Sequence, residues 1–134
     1  MAKLYNKFGD KGLEILAYPC DLVKKHEPGN PDEIQRIATK YNVAFKIMEL
    51  CQINGDDSNE LWTFLRKNSE LQGADVPNSF AKFLCNSKGE VLHYYEPNFE
   101  PNGIVPDIEK ILGITPDTEW LLSRWNWRIQ LSFL

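Results

Sequence analysis

The segment LEILAYPCDLVKKHEPG, from Leu13 to Gly29, decides the fold of this chain. It begins with a short apolar run that contains β-branched and aromatic residues, which is typical of a buried β-strand. Pro19 ends the strand because proline has no backbone donor, and a polar loop that starts with Cys20 follows. Asn30 and Pro31 then suit the cap and the first position of a helix. A strand, a polar loop and a helix in this order predict a redox or ligand site at the carboxyl end of a parallel strand.

Patterns along the rest of the chain predict further helices and strands. Apolar residues recur at helical spacing in some segments and alternate in others, and residues 86–89 have the composition of a hairpin turn. The predicted elements are helices at 2–8, 31–41, 58–67 and 105–112, and strands at 13–18, 43–48, 80–85 and 90–95. This order predicts a single α/β domain in which helices pack on a sheet.

Composition indicates one ordinary globular domain. The chain has 134 residues, of which 43% are hydrophobic and 25% charged, and a formal net charge of −4. That charge gives no reason to expect nucleic acid or an anionic membrane surface as a partner. The sequence has no apolar run long enough to span a bilayer and no signal-peptide pattern at its start. We therefore expect neither a nucleic-acid partner nor a membrane span.

The cysteines limit the redox chemistry and the compartment. The chain has an odd number of cysteines, and they lack the spacing of a metal site; they are Cys20, Cys51 and Cys85. Free thiols in an odd number favour the cytoplasm or another reducing intracellular compartment. The sequence predicts no metal and no other cofactor.

Four blocks of sequence carry a resemblance to a known family. GDKGLEILAYPC, followed by HEPG, resembles the glutathione peroxidase family, whose corresponding segment reads roughly GLEILAFPCNQF and then QEPG. The other blocks, in the same order, are YNVAF at Tyr41 to Phe45, NGDD at Asn54 to Asp57 and SFAKFL at Ser79 to Leu84. The match runs from about Leu4 to Leu112 and so covers most of the chain.

The resemblance implies a thioredoxin-like (glutathione peroxidase-type) α/β fold of three layers. In that family the first helix of this chain follows an earlier strand and a loop with the peroxidatic cysteine or selenocysteine. This sequence begins after both, so the resemblance predicts a fold that lacks the usual first strand–helix unit. We divide the chain into a glutathione peroxidase-like domain, residues 1–113, and a hydrophobic C-terminal extension, residues 114–134.

The positions that align with the family's catalytic residues depart from its pattern. A thiol peroxidase needs a thiolate nucleophile and donors that stabilise the departing oxygen. The nucleophile would precede Met1, the family's Gln before EPG is His26, and its Trp-Asn pair aligns with Asn78 and Ser79. His26 is interpreted either as a solvated loop histidine or as a base that activates a thiol. Asn78 and Ser79 are interpreted either as turn residues or as members of a polar pocket.

Cys20 aligns with the cysteine of the family's PC pair and is the candidate thiol. It is either a substitute nucleophile, with His26 further along the same loop, or a half-buried thiol that packs under that loop. The position near Thr39, where thioredoxin-dependent members carry a resolving cysteine, has none. A two-cysteine cycle of the usual kind is therefore not expected.

The sequence is compatible with three functional hypotheses. The first is a catalytically degenerate family member, not an enzyme, that acts as a structural or binding component of a larger protein assembly. The second is an active thiol peroxidase that reduces hydroperoxides with glutathione or thioredoxin, through Cys20 or a nucleophile upstream of this chain. The third is a truncated sequence of an active enzyme, which the internal substitutions at His26, Asn78 and Ser79 argue against. We favour the first.

The tail carries a separate prediction. In the resembled fold the absent strand is central, so the strand at 13–18 would have unpaired backbone groups on one side. We expect another chain, a second copy or this chain's own tail to fill that slot. Residues 127–133 alternate apolar and polar side chains, as a strand does, and a disordered terminus is the alternative. We favour docking on a partner protein through Trp120, Trp125, Trp127, Ile129, Leu131 and Phe133.

Overall fold

The computed structural model describes residues 1–19, 31–77, 80–114 and 129–133, the last five by their backbone alone. The described helices are, in chain order, α1 (Ala2–Phe8), α2 (Pro31–Lys40), α3 (Glu60–Lys67) and α4 (Val105–Leu112). The described strands are β1 (Leu13–Ala17), β2 (Lys46–Ile47), β3 (Lys82–Cys85), β4 (Val91–Tyr95) and β5 (Ile129–Phe133). None of these helices is long and apolar enough to cross a membrane.

A sheet of five described strands runs through the structure in the order β2-β1-β5-β3-β4. β1 is parallel to β2 and β5, whereas β3 is antiparallel to β5 and β4. β5 therefore lies at the centre of the sheet, although it comes from the end of the sequence. Because neighbouring strands are about 4.8 Å apart, β5 holds β1 and β3 at a separation of roughly 10 Å.

The register of β5 agrees with the alternation of its sequence. Its apolar residues are paired with alternate, buried residues of β1. The pairs are Leu13 with Ile129, Ile15 with Leu131, and Ala17 with Phe133. A slip by one residue would exchange the two faces of the strand, so this pattern favours a single register.

β5 occupies the slot that the sequence predicts beside β1. The prediction that something fills this slot is confirmed, and the occupant is this chain's own tail. Ile129, Leu131 and Phe133 are therefore paired within this chain, which corrects the prediction that they dock on a partner protein. The physical reason is that β1 and β3 would otherwise each expose a row of unpaired backbone groups. The other predicted docking residues, Trp120, Trp125 and Trp127, lie outside the described residues.

All four predicted strands are shorter in the structure than in the sequence pattern, and two of them lose more than one residue. The strand expected at 43–48 contains only Lys46–Ile47, which are the residues paired with β1. The strand expected at 80–85 begins at Lys82, because Phe80 has a φ of 69° that an extended strand does not allow. Asn42 has a φ of 50°, and the preceding helix accordingly ends at Lys40 rather than at 41.

Helices on the two faces of the sheet bury two hydrophobic cores. Core residues on the face of α1 and α4 are Leu4, Phe8, Leu13, Ile15, Leu84, Tyr95, Ile104, Ile108 and Leu112. Core residues on the face of α3 are Leu16, Tyr18, Ile53, Trp62, Leu65, Val76, Ala81, Phe83 and Cys85. Trp62 lies at the centre of the second core and meets the rings of Tyr18 and Phe83 edge to face, with centroids 5.9 and 5.7 Å away. Trp62 and Leu65 thus form the face of α3 that packs on the sheet.

Arg66 in α3 connects two loops to the second core. Its side chain is 7% exposed, and its guanidinium donates to Asp75 Oδ1 at 2.8 Å and Gly73 O at 3.3 Å. It also donates to Ser58 Oγ at 2.9 Å and Gly55 O at 3.4 Å. The loops before and after α3 are thus fixed by one side chain.

We expect Arg66→Met to lower the free energy of unfolding by about 2–3 kcal/mol, because loop acceptors would lose their buried donor. Lys67→Met is the matched control, since its side chain is exposed on the same helix and its effect should stay within about 0.5 kcal/mol. Chemical denaturation of both variants measures the difference. Equal effects of the two substitutions would contradict this role of Arg66.

Candidate functional site

A pocket of about 550 Å³ lies at the carboxyl end of β1. Ala17 and Pro19 line it at the end of β1, Ile47 lines it from β2, and Phe80 and Lys82 line it from the start of β3. The carboxyl ends of parallel strands meet at one edge of a sheet, which is where ligand sites form in α/β folds. The pocket therefore lies where the sequence predicts a redox or ligand site.

The other described lining residues are mostly apolar. They are Met1, Ala38, Val43, Phe45, Pro97, Asn98, Phe99, Glu100 and Pro101. Because Ala17 belongs to β1 and Lys82 to β3, β5 separates the two strands that form the floor of the pocket. The width of the site thus depends on the strand that comes from the tail.

Lys82 is a buried cation of this pocket. The residue is 4% exposed, and its Nζ donates to Phe80 O at 2.7 Å and to Pro97 O at 3.1 Å. Burial lowers the pKa of the Lys82 ammonium, and no carboxylate of the described residues forms an ion pair with it. Its charge is therefore balanced by carbonyl dipoles alone within the described structure.

Two exposed aromatic rings line the pocket beside Lys82. Phe80 is 60% exposed and Phe99 is 41% exposed. Phe80 holds the left-handed conformation, with a φ of 69°, which is strained for a bulky residue. Phe99 packs on the ring of Tyr95, with centroids 5.0 Å apart, and against Gly103, where an added Cβ would come within 2.7 Å of the Phe99 ring. Local strain and a glycine thus hold two apolar rings at the pocket next to solvent.

The thiols in the described structure are poor nucleophiles. Burial raises the pKa of the Cys85 thiol from 9.0 to about 11. Burial also raises the pKa of Cys51, an effect that the indole of Trp62 partly offsets. Because the thiolate is the reactive form, neither cysteine is activated for attack on a peroxide. No three His, Cys, Asp or Glu side chains of the described residues are grouped as a metal site.

The candidate thiol and the three degenerate family positions all lie outside the described residues. Cys20 and His26 come after Pro19, and Asn78 and Ser79 come before Phe80. Pro19 and Phe80 themselves both line the pocket. Each of the two segments that carry the family positions is thus adjacent in sequence to one residue that lines the pocket.

Two residues of this site, Lys82 and Phe99, are not predicted from the sequence. Lys82 lies in the SFAKFL block, where a lysine is expected to reach solvent because lysines are rarely fully buried. Lys82 shares its face of β3 with Leu84, and that apolar residue is the signal that could have indicated otherwise. Phe99 lies in a loop and gives no local signal.

The fold and the site together define a class of protein. The structure has the features of a thioredoxin-like α/β protein. These are the parallel strands β1 and β2, the antiparallel pair β3 and β4, helices on both faces of the sheet and a pocket at the carboxyl end of β1. A crystal structure of Trgpx in its apo form has the same fold, with a TM-score of 0.65 and 24% sequence identity. The similarity covers 84% of this chain and 67% of that one.

Sequence comparison then identifies the family. The family model for glutathione peroxidase matches residues 1–66. A probable phospholipid hydroperoxide glutathione peroxidase of Solanum lycopersicum is 36% identical over 116 residues, which cover 85% of this chain and 69% of the relative. The hydroperoxy fatty acid reductase gpx1 of Synechocystis sp. is 38% identical over 117 residues, which cover 81% of this chain and 69% of that protein. The chain belongs to the glutathione peroxidase family.

Near neutral pH, native Cys85 should be alkylated by iodoacetamide about 100-fold more slowly than in the unfolded chain, because a pKa raised from 9.0 to about 11 leaves about 100-fold less thiolate. Mass spectrometry of peptides after timed quenching measures the rates.

The raised pKa of Cys85 also affects stability. Because the pKa of this thiol is higher in the folded than in the unfolded chain, its contribution to the free energy of unfolding is complete below pH 9 and is lost as the pH rises through 11. Equal alkylation rates in the native and unfolded chains would contradict the assignment.

Proposed function

We propose that this chain is a member of the glutathione peroxidase family that does not reduce peroxides and acts as a binding protein. The observation that carries the proposal is the position of β5 between β1 and β3. In the resembled family, that central place belongs to the strand that leads to the peroxidatic residue. Here a strand without a cysteine is paired at that place.

The backbone of β5 is paired on both of its sides. All five residues of β1, Leu13–Ala17, are paired with β5. The residues of β3 that are paired with β5 are Phe83, Leu84 and Cys85. Two strands cannot hold one place in a sheet, because each N–H and C=O group bonds one partner strand. A strand that presents a nucleophile would have to displace β5 first.

Residues inside the chain support the same proposal. His26, Asn78 and Ser79 stand where the family has Gln, Trp and Asn, and these replacements do not depend on where the sequence begins. An indole is a rigid donor, and the shorter side chains of Asn78 and Ser79 do not replace its reach. The thiols of Cys51 and Cys85 have raised pKa values and do not substitute for the nucleophile.

Peroxide reduction through Cys20 is the competing function. Relatives of this chain are named for phospholipid hydroperoxides and for hydroperoxy fatty acids, and Cys20 directly follows a residue that lines the pocket. In that reaction the Cys20 thiolate would attack the peroxide, and the O–O bond would break to give a sulfenic acid and an alcohol. Two thiols of glutathione or thioredoxin would then restore the cysteine and release water, with a disulfide as the oxidised product.

Binding of a partner protein by the extension, residues 114–134, is the part of the proposal that concerns an assembly. Because Ile129–Phe133 are paired inside the sheet, the predicted binding of a partner depends on Trp120, Trp125 and Trp127. Tryptophan is enriched among the residues that contribute most to protein interfaces. This part stays a prediction.

We expect the purified chain to show no turnover of hydrogen peroxide or organic hydroperoxides with glutathione or thioredoxin as reductant, because neither thiol of the described residues, Cys51 or Cys85, is activated. A coupled assay of reductant consumption measures this. Turnover that Cys20→Ser abolishes and Cys51→Ser leaves intact would overturn the proposal and establish the competing function.

A further inference from the structure

Asn54 is followed by Gly55, and this pair has a chemical reactivity of its own. Glycine has no side chain to shield its backbone nitrogen, so that nitrogen can attack the side-chain amide of a preceding asparagine. The turn itself favours glycine at this position, because Gly55 has a φ of 80°. The fold therefore keeps a reactive pair in the loop before α3.

The Asn54 side chain is held by the backbone of a residue that is distant in sequence. Its Nδ2 donates to Val76 O at 2.8 Å, and its Oδ1 accepts from Val76 N at 2.8 Å. The attacking atom is engaged as well, because Gly55 N donates to Asp75 Oδ1 at 3.3 Å. Asn54 Cγ reaches Gly55 N only after the side chain has left Val76. The folded chain thus protects Asn54 until the loop opens locally.

The two reciprocal hydrogen bonds with Val76 require an amide. The amide nitrogen supplies a donor to Val76 O, whereas both oxygens of a carboxylate only accept hydrogen bonds. An aspartate at position 54 would place one of these oxygens against the Val76 carbonyl, and the two acceptors would repel each other. Val76 is 2% exposed and belongs to the second core, where a lost donor is costly.

We propose that Asn54 is a site of spontaneous deamidation and that the product keeps this loop open. Gly55 N forms a bond to Asn54 Cγ, and the side-chain nitrogen leaves as ammonia. Water then adds to the cyclic imide and opens it to aspartate or isoaspartate. The net reaction converts an amide and a water molecule into a carboxylate and an ammonium ion, without an oxidant or a reductant. It does not depend on whether the chain reduces peroxides.

The opening reaches the hydrogen bonds of Arg66. Arg66 donates to Gly55 O at 3.4 Å and to Asp75 Oδ1 at 2.8 Å, and these two acceptors directly follow Asn54 and directly precede Val76 in the sequence. Loss of the contact between Asn54 and Val76 therefore loosens the loops on both sides of α3. Deamidation would act as a one-way switch from the closed to the open form of these loops.

The sequence contains a second pair of this kind, Asn102 and Gly103, which serves as the comparison. Asn102 is exposed, and Gly103 N donates to Glu100 O at 2.9 Å within one local turn. We expect conversion of Asn102 to disturb that turn alone.

The first test measures deamidation of the full chain by mass spectrometry of peptides, in buffer and in guanidinium chloride at the same pH and temperature. We expect Asn54 to react at least roughly tenfold more slowly in the native chain, because hydrogen bonds must break before the ring closes. Asp75→Ala removes the acceptor of Gly55 N–H and should raise the native rate. Asp57→Ala, an exposed change in the same loop, should not. Equal rates in buffer and denaturant, or no reaction of Asn54 in denaturant, would overturn the proposal.

The second test concerns the product. Hydrogen exchange of the Val76 amide should be at least roughly tenfold faster in Asn54→Asp than in the unmodified chain, and Asn102→Asp should leave it unchanged. Thermal unfolding establishes that both variants are folded, and the first test still decides the proposal if Asn54→Asp does not fold. Unchanged exchange of Val76 in a folded Asn54→Asp variant would show that the product does not keep the loop open and would contradict the switch.

Discussion

A strand at the centre of a sheet forms backbone hydrogen bonds with a neighbouring strand on each of its two sides. β5 is such a strand, and it pairs the backbone groups of two other strands. It runs parallel to β1 and antiparallel to β3, which have no direct pairing with each other. Each unpaired backbone group that is buried costs as much as a lost hydrogen bond, and each free strand edge invites association with another chain. The helices on both faces therefore pack on a continuous sheet only because the tail returns to its centre.

The same pairing shapes the pocket. Ala17 in β1 and Lys82 in β3 lie on opposite sides of β5, at the end of the sheet where Ala17 is paired with Phe133. β5 sets the distance between them, and the loops around Phe80 and Pro97 supply the carbonyl groups that hold the ammonium. The completion of the sheet and the width of the pocket are thus two consequences of one strand position.

Local signals in the sequence predict many of the elements correctly. The strand at Leu13–Ala17 follows from its apolar run, and the hairpin follows from the turn before Gly89, whose φ of 84° favours glycine. The partner of β5 could not be predicted, because alternation indicates a strand but does not say which strands it joins. Lys82 and Arg66 were missed for a related reason. Their burial depends on acceptors from loops that are distant in sequence, Pro97 for Lys82 and Gly55 for Arg66.

Amide hydrogen exchange of the chain with and without its tail measures how far the sheet depends on β5. We expect Leu13–Ala17 and Lys82–Cys85 to exchange slowly in the full chain, because β5 bonds the inner edges of both strands. In a chain that ends at Gly113, exchange in both segments should become fast, or the shortened protein should associate through the exposed edges. A shortened chain that stays monomeric and keeps the full protection of both strands would show that the sheet does not depend on its tail.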